Sequence, residues 1–216
     1  VLEYSMNQLV TKMRELNHLD IEINKEKSIA VVGNSGKLLT QEQGEFIDSH
    51  DIVFRCNLAI TDKYENNVGS KTDFRFIAGK SFWRNLTEQF SSYKDDFLTN
   101  LKDQHFIIRA NPVNASIQGI MKHYNTKSNI SYLRLNVINN MQKQIGINDI
   151  SLGMAAIEIA RKWSDNVSLF GFTFFQEGWN EQHYFENITP YSRGHNPLKE
   201  KEYVDFLQKE NLLRVY

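Results

Sequence analysis

The 216-residue chain contains a single cysteine, Cys56, and therefore no pair that could form an internal disulfide. This scarcity favours a reducing compartment. The sequence also lacks any apolar run near the ~20 residues that span a bilayer, and no signal peptide is visible in it. The formal net charge is only −1, which excludes a strong overall field toward nucleic acid or an anionic membrane.

The residues that are present suit one globular domain over residues 1–216. Hydrophobic residues make up 41% of the chain and charged residues 24%, enough apolar material for a sizeable core. Within residues 1–27, apolar positions at helical spacing predict a leading helix at 2–19, followed by a polar connection. Because the sequence begins at Val1 rather than Met, we expect a domain excised from a longer polypeptide, whose other domains would be its partners.

Two short apolar runs, each followed by an asparagine, predict buried strands that end at one crevice. The run at residues 29–32 breaks into the glycine-rich turn 33–36, and the run at 51–56 ends at Asn57. Ligands of open α/β sheets bind outside the carboxyl ends of the strands, so this turn is a natural place for a phosphate.

The turn matches neither of two common phosphate-binding motifs. A dinucleotide fingerprint requires G-x-G-x-x-G, whereas Gly33 and Gly36 give only G-x-x-G, and no acidic residue follows the second strand. A P-loop requires Ser or Thr after its lysine, but Lys37 precedes Leu38. An NAD-linked Rossmann enzyme is therefore disfavoured, and the turn alone indicates no more than a strand-to-helix connection.

Apolar patterns along the rest of the chain predict an α/β domain. Further strands are predicted at residues 73–78, 106–109, 131–137 and 165–172, and helices at 82–101, 114–124 and 151–160, with a short helix or loop at 37–46. An asparagine and a proline at Asn196 and Pro197 predict the start of another helix.

Four sequence strings, in chain order, closely resemble the sialylmotifs of animal-type sialyltransferases, glycosyltransferase family 29. Residues 31–36, 47–51, 54–57 and 68–72 resemble the large motif, 151–160 with 165–172 the small motif, 183–187 motif III, and His195 with Glu200 the very short motif. The residues in these strings are most similar to those of the α2,8 branch. Each string alone has a plain structural explanation, but the ordered set identifies the chain as a member of this family.

The resemblance implies a fold and an activity. The fold would be a GT-A-like α/β sialyltransferase variant with a mostly parallel central sheet and helices on both faces. The activity would be the inverting transfer of sialic acid from CMP-sialic acid to a hydroxyl of a glycan acceptor, with no cofactor and no metal ion. The sequence has no D-x-D motif and no Cys/His ligand cluster.

The resemblance also assigns roles to residues. His195 would be the general base, kept neutral by the adjacent helix start, and His183 with Tyr184 would hold the leaving phosphate. Glu200 would either orient the site or simply be an acid favoured at a helix N-terminus. Donor-binding roles fall on a further set: Asn34, Ser35 and Asn57, with Gly33 in support, and Ser151 with Gly153.

Departures from the family pattern bear on compartment and donor. The family's disulfide positions are Ile29 and Ser164 here, which fits folding in a reducing bacterial cytoplasm and a role in surface polysaccharide synthesis such as capsule. Leu152 replaces a family threonine near the donor sugar, so CMP-Kdo is the alternative donor. An inactive nucleotide- or glycan-binding module is a further alternative, against which the intact His183 and His195 argue.

Overall fold

A parallel β-sheet organises the part of the chain that the structure describes. This computed structural model describes residues 23–78, 104–109, 130–176, 183–185 and 196–216. The strands in these ranges are β1 Ser28–Val32, β2 Ile52–Cys56, β3 Phe74–Ile77, β4 His105–Ile108, β5 Ile130–Tyr132, β6 Asn166–Phe170 and β7 Arg214–Val215. Their order is β5-β4-β3-β2-β1-β6-β7, and every neighbouring pair is parallel.

The order of the strands changes direction at β1. Strands β2 to β5 extend to one side of β1, whereas β6 pairs with its other side, with Ile29 opposite Val167. Crossovers that leave to opposite sides open a crevice at the carboxyl ends of the two strands. The turns that follow β1 and β6 therefore meet at the place where an open α/β sheet binds its ligand.

Helices cover both faces of the sheet. Those in the described ranges are a 3₁₀ helix Gly36–Thr40, α1 Gly44–Asp48, α2 Glu65–Val68, α3 Leu135–Ile145, α4 Leu152–Trp163 and α5 Pro197–Lys209. Strand β1 shows why both faces are apolar: Ile29 and Val31 join the core with α3, α4 and α5, while Ala30 and Val32 face the 3₁₀ helix, α1 and α2. The predicted α/β fold is confirmed.

Helix α4 is the central helix of the larger core. It packs against β1, β2, β3 and β6, and three of its small residues, Ala155, Ala156 and Ala160, are fully buried. Small side chains on this face let the helix axis lie close to the sheet. The position of α4 therefore fixes where its N-terminus lies relative to the strand ends.

One predicted strand is partly wrong. The pattern at residues 131–137 predicts a strand, but β5 ends at Tyr132 and α3 begins at Leu135. In α3, Ile138 and Met141 are buried three residues apart on one helical face, and this period extends over 11 residues. A helical period of that length outweighs the short alternation at its start. The helices predicted at 2–19, 82–101 and 114–124 lie outside the described residues.

Ser164, one of the two positions at which the resemblance implies a family disulfide, forms hydrogen bonds instead. Ser164 follows α4, and its Oγ donates to the carbonyl of Lys27 at 2.5 Å. The same oxygen accepts from the backbone N–H of Asn166 at 2.8 Å. Ser164 thus connects the segment before β1 to the junction between α4 and β6. No helix within the described ranges is long and apolar enough to cross a membrane.

Candidate active site

The turn after β1 is held in place by the turn after β6. The N–H of Gly33 donates to the carbonyl of Phe170 at 2.7 Å, and the N–H of Ser35 donates to that of Gly171 at 3.3 Å. A Cβ on residue 33 would lie 2.4 Å from the carbonyl oxygen of Gly171. Backbone atoms cannot yield as a flexible side chain can, so this close approach requires glycine.

Asn34 lies between the ends of β1 and β2. Its Nδ2 donates to the carbonyl of Cys56 at 3.2 Å. Its Oδ1 is buried and has no hydrogen-bond partner within the described ranges. Leaving a buried polar atom unpaired costs about 1–3 kcal/mol, so such an atom in a crevice points to a ligand group. Because Oδ1 is an acceptor, it suits a ligand hydroxyl or amine.

Asn57 presents the complementary atom at the end of β2. Its backbone has a φ of 52°, in the left-handed region that asparagine tolerates better than most residues. Its Oδ1 accepts from the N–H of Ala78 at 3.0 Å, and the amide so oriented leaves Nδ2 without a partner in the described part of the chain. Asn57 therefore offers a donor near the acceptor that Asn34 offers.

Residues 183–185 bring the third string to the same turn. His183 forms an antiparallel bridge with Ser35, and the N–H of Tyr184 donates to the carbonyl of Asn34 at 2.9 Å. The imidazole of His183 stacks on the ring of Phe185, with the centroids 5.4 Å apart. The structure thus brings His183 beside Asn34 and Ser35, and its implied role at the leaving phosphate stays a prediction.

The Tyr184 hydroxyl is engaged within the protein. It donates to the carbonyl of Ile60 at 2.7 Å, and burial raises the pKa of Tyr184 to about 12. In this conformation its proton is directed at Ile60 rather than outward. The implied phosphate contact of Tyr184 stays a prediction, and the observed contact anchors residues 183–185 to the loop after β2.

The fourth element of the site is the N-terminus of α4. The Oγ of Ser151 caps this helix by accepting from the N–H of Met154 at 3.0 Å. Packing explains the glycine at position 153, because a Cβ there would lie 2.8 Å from Cε1 of Phe172. Phe172 follows β6 and was not assigned a role by the sequence. Its ring connects the turn after β6 to the start of α4.

Leu152 packs inward. Its side chain is buried and belongs to the larger core. The expectation that the loss of a hydroxyl here changes the donor sugar stays a prediction, and the structure gives this leucine a packing role.

Glu200 connects α5 to the site. The predicted helix start is confirmed: Pro197 is the first residue of α5, and Oδ1 of Asn196 accepts from the N–H of Lys199 at 3.2 Å. Glu200, in the first turn, is only 3% exposed, and its Oε1 accepts from the N–H of Ser151 at 2.6 Å. This contact favours the orienting alternative over a simple dipole effect. His195, one residue before Asn196, lies outside the described residues.

Sequence reasoning missed a second contact at the start of α4. Arg109, which follows β4, donates through Nη1 to the carbonyl of Ile150, and its Nη2 lies 2.7 Å from Oδ1 of Asp149. No local pattern could have revealed this, because 40 residues separate the two ion-pair partners.

The rest of the large-motif string forms a structural network. Arg55 is fully buried on β2 and donates to the carbonyls of Val68 and Lys71 at 2.7 and 3.0 Å. The carboxylate of Asp48 accepts from the N–H groups of Ser70 and Lys71. These contacts tie residues 68–72 to α1 and β2. Among the described residues, no group of three or more His, Cys, Asp or Glu side chains is placed to hold a metal ion.

Described parts of the strings that resemble sialylmotifs thus meet: residues 33–35, 170–171 and 183–184 contact one another at the ends of β1 and β6, and Glu200 contacts Ser151 at the start of α4. A family model described as glycosyltransferase family 29 (sialyltransferase) matches residues 1–212. The chain belongs to this family.

Relatives in sequence agree with this assignment. The chain is 33% identical over 189 residues to Sialyltransferase-like protein 1 of Arabidopsis thaliana, covering 87% of this chain and 35% of that protein. It is 27% identical over 208 residues to alpha-N-acetylneuraminide alpha-2,8-sialyltransferase of Bos taurus, covering 88% of this chain and 58% of that protein. The family-29 chain therefore spans well under two thirds of the length of either relative.

The fold is shared with a mammalian sialyltransferase. A crystal structure of that enzyme in complex with Gal-beta-1-3GalNAc-ortho-nitrophenol matches with a TM-score of 0.71 at 22% identity. The match covers 98% of this chain and 79% of the other. At this identity the likeness shows the fold of the family-29 chain.

Proposed function

We propose that this family-29 domain transfers sialic acid from CMP-sialic acid to a hydroxyl of a glycan acceptor, inverting the anomeric centre without a metal ion. The observation that carries the proposal is the buried Oδ1 of Asn34, which has no hydrogen-bond partner among the described residues. It lies where the turn after β1 meets the turn after β6 and residues 183–185. A relative in Gallus gallus carries the name CMP-N-acetylneuraminate-beta-galactosamide-alpha-2,3-sialyltransferase 1, which gives a donor and an acceptor of this class for that protein.

In this proposal, different residues bind different parts of the donor. Oδ1 of Asn34 accepts from a hydroxyl of the nucleotide sugar, and Nδ2 of Asn57 donates to the phosphate. The N-terminus of α4, capped by Ser151, attracts the donor carboxylate through the helix dipole and its free N–H groups. Ser35 and Tyr184 hold His183 beside this site.

The reaction then needs one proton transfer. The acceptor oxygen attacks the anomeric carbon as the bond to the phosphate oxygen breaks, through a transition state with oxocarbenium character. His195 takes the acceptor proton, and the bonding pair leaves with CMP, whose developing charge His183 stabilises. The N-terminus of α5 beside His195 favours the neutral imidazole, which is the form that accepts a proton.

The experiment is a ligand-dependent thermal shift followed by a transfer assay. CMP and CMP-sialic acid should raise the unfolding temperature by mass action, and CMP release should depend on a glycan acceptor. EDTA should leave both results unchanged. A strict requirement for a divalent ion would contradict the metal-independent mechanism. CMP binding without any turnover would instead favour the inactive binding module.

CMP-Kdo is the second donor to test, because Leu152 stands where the family has a threonine. Leu152 faces the core, so this position bears on the donor only through the packing of α4. Stabilisation and turnover with CMP-Kdo but not with CMP-sialic acid would replace sialic acid in the proposal.

We also propose that the domain works in a reducing compartment, as a bacterial cytoplasmic enzyme of surface polysaccharide synthesis. What supports the compartment is the single cysteine and the presence of Ser164, with its hydrogen bonds, at a position where the family has a half-cystine. Activity retained in full under strong reductant is the expected result, and loss of activity on reduction would contradict the proposal.

A further inference from the structure

One peptide group at the start of α4 is held at both of its polar atoms. The carbonyl of Ile150 accepts from Nη1 of Arg109, and the N–H of Ser151 donates to Oε1 of Glu200 at 2.6 Å. These two atoms belong to the same peptide bond. Arg109 comes from the end of β4 and Glu200 from the first turn of α5, so two separate elements fix one peptide plane.

The charges on the two sides reinforce each other. A guanidinium at the carbonyl and a carboxylate at the N–H both polarise the peptide in the same sense, and charge-assisted hydrogen bonds are about twice as strong as neutral ones. The arrangement is also protected from water, since Ile150 is fully buried and Glu200 is 3% exposed. The peptide therefore has little freedom to rotate.

Arg109 also balances negative charge near the donor site. Two carboxylates lie near Ser151: Asp149 is two residues before it, and Glu200 accepts from its N–H. Nη2 of Arg109 pairs with Oδ1 of Asp149 at 2.7 Å. An anionic donor that approaches the N-terminus of α4 would meet both carboxylates. With Arg109 in place, part of this repulsion is cancelled.

We propose that Arg109, which lies outside all four sialylmotif-like strings, is a positioning residue for donor binding. It holds the Ile150–Ser151 peptide against Glu200, and thereby sets the direction of the α4 N-terminus that receives the donor. The inference rests on the proposed function, in which that N-terminus binds the donor carboxylate. Arg109 acts through the peptide and does not touch the reacting atoms.

The test compares Arg109→Gln with a matched control, Arg161→Gln. Arg161 lies on α4 itself, pairs with Glu158 at 2.8 Å, and contacts Tyr203 of α5, and its side chain is 19% exposed against 21% for Arg109. Both changes remove one partly buried ion pair, which lies just before α4 for Arg109 and on α4 for Arg161. Only Arg109, however, contacts the peptide at the start of the helix.

The measurements are CMP-sialic acid affinity by calorimetry, the separate KM and kcat values, and the urea midpoint. Arg109→Gln should weaken donor affinity about 10-fold, the loss expected when a charge-assisted hydrogen bond is removed. It should raise the donor KM similarly and leave the acceptor KM unchanged. Arg161→Gln should lower the urea midpoint comparably and leave donor affinity within about twofold, as an effect on stability alone predicts.

A double variant tests the shared peptide. Because Arg109 and Glu200 act on one group, Arg109→Gln with Glu200→Gln should lose less donor affinity than the product of the single losses. Additive losses would overturn the inference. Should Arg109→Gln fail to fold, Arg109→Lys replaces it, since lysine keeps the charge but satisfies a single acceptor, and a donor affinity loss of about threefold is expected.

The outcomes separate the two claims. If the wild-type chain binds neither CMP nor CMP-sialic acid, the proposed function fails and this inference fails with it. If the wild-type chain binds the donor, and Arg109→Gln and Arg161→Gln both bind it with wild-type affinity, the proposed function stands. The positioning role of Arg109 is then wrong.

Discussion

At the scale of single residues, the candidate site is defined by polar atoms that have no partner among the described residues. Asn34 uses Nδ2 within the fold and leaves a buried Oδ1, while Asn57 uses Oδ1 and leaves Nδ2. A structural asparagine in a buried turn would have both atoms satisfied, since unpaired buried groups are costly. The two residues that the sequence placed after neighbouring strands thus present complementary hydrogen-bonding atoms.

Asn34→Ala should weaken CMP binding by about 1–3 kcal/mol. It should lower the free energy of unfolding by only about 0.5–1.5 kcal/mol, because the one hydrogen bond lost within the described residues is that from Nδ2 to the Cys56 carbonyl. Calorimetry with CMP and urea unfolding measure the two quantities. Asn67→Ala is the control, since Asn67 also donates to a backbone carbonyl, that of Gln41, but away from the turn. Normal CMP affinity in Asn34→Ala would reduce the turn after β1 to a structural feature.

His195→Ala should reduce turnover by about 10²–10⁴-fold, the usual contribution of a positioned general base. Donor affinity should hardly change, because His195 serves the acceptor. Wild-type activity should fall on the acid side as the imidazole is protonated near neutrality, and this limb should disappear in the variant. An unchanged pH profile with near-normal turnover would exclude His195 as the base.

His183→Ala should give the opposite pattern. His183 lies beside Ser35 and Asn34, on the phosphate side of the proposed site. Its loss should raise the donor Kd or slow departure of CMP, while the acid limb of the pH profile stays in place. Kinetics of the two histidine variants with the same donor distinguish the roles, and identical pH profiles in both would contradict the assignment.

At the scale of elements, contacts between turns decide the geometry of the crevice. The turns after β1 and β6 are in contact at Gly33 and Gly171. Phe172, next to Gly171, packs its ring against Gly153 at the start of α4. Both Gly33 and Gly153 are explained by close packing against their neighbours. The strand ends and the helix N-terminus are therefore joined through a continuous set of contacts.

Gly33→Ala should destabilise the domain by about 3 kcal/mol or more, at the upper end for overpacked sites, because the new methyl group meets a backbone oxygen. Gly146→Ala is the control: residue 146 has a φ of 76° but open space around its Cβ position, so only the backbone cost of about 1–2 kcal/mol applies. Urea unfolding compares the two, and equal losses would show that the turn relaxes freely.

At the scale of the whole molecule, hydrogen bonds and packing hold the fold together, because the single cysteine allows no disulfide within the 216 residues. Ser164 connects the segment before β1 to the end of α4 through hydrogen bonds. The single thiol, Cys56, is 5% exposed, and burial raises its pKa to about 12. A thiol in that state is neither exposed nor ionised near neutral pH, so it reports on opening of the fold.

Cys56 should react with DTNB only when the domain opens, far more slowly than free cysteine at the same pH. If that opening is global, CMP at about 100 times its Kd should slow the reaction about 100-fold, because ligand binding stabilises only the closed state. The urea-unfolded protein provides the reference rate. Rapid labelling of the native domain would contradict the buried position of Cys56 at the end of β2.

The sequence by itself determined the class of the molecule. Continuous apolar runs and helices with caps are local patterns, so β1, β2, α4 and the start of α5 at Asn196 could be predicted from them. The four strings identified the family in the same way, since spacing along the chain is a one-dimensional property. The local signal failed at Leu135, where a short alternation and a helical period overlap.

Tertiary structure alone decided which side chains act on the same atoms. Arg109 and Glu200 meet on the Ile150–Ser151 peptide from 41 and 49 residues away, and nothing in either neighbourhood predicts the other. The unpaired Oδ1 of Asn34, the inward packing of Leu152 and the use of the Tyr184 hydroxyl by Ile60 likewise depend on what surrounds each group. Hydrogen bonding and burial are properties of neighbourhoods in space, so they appear only once the chain is folded.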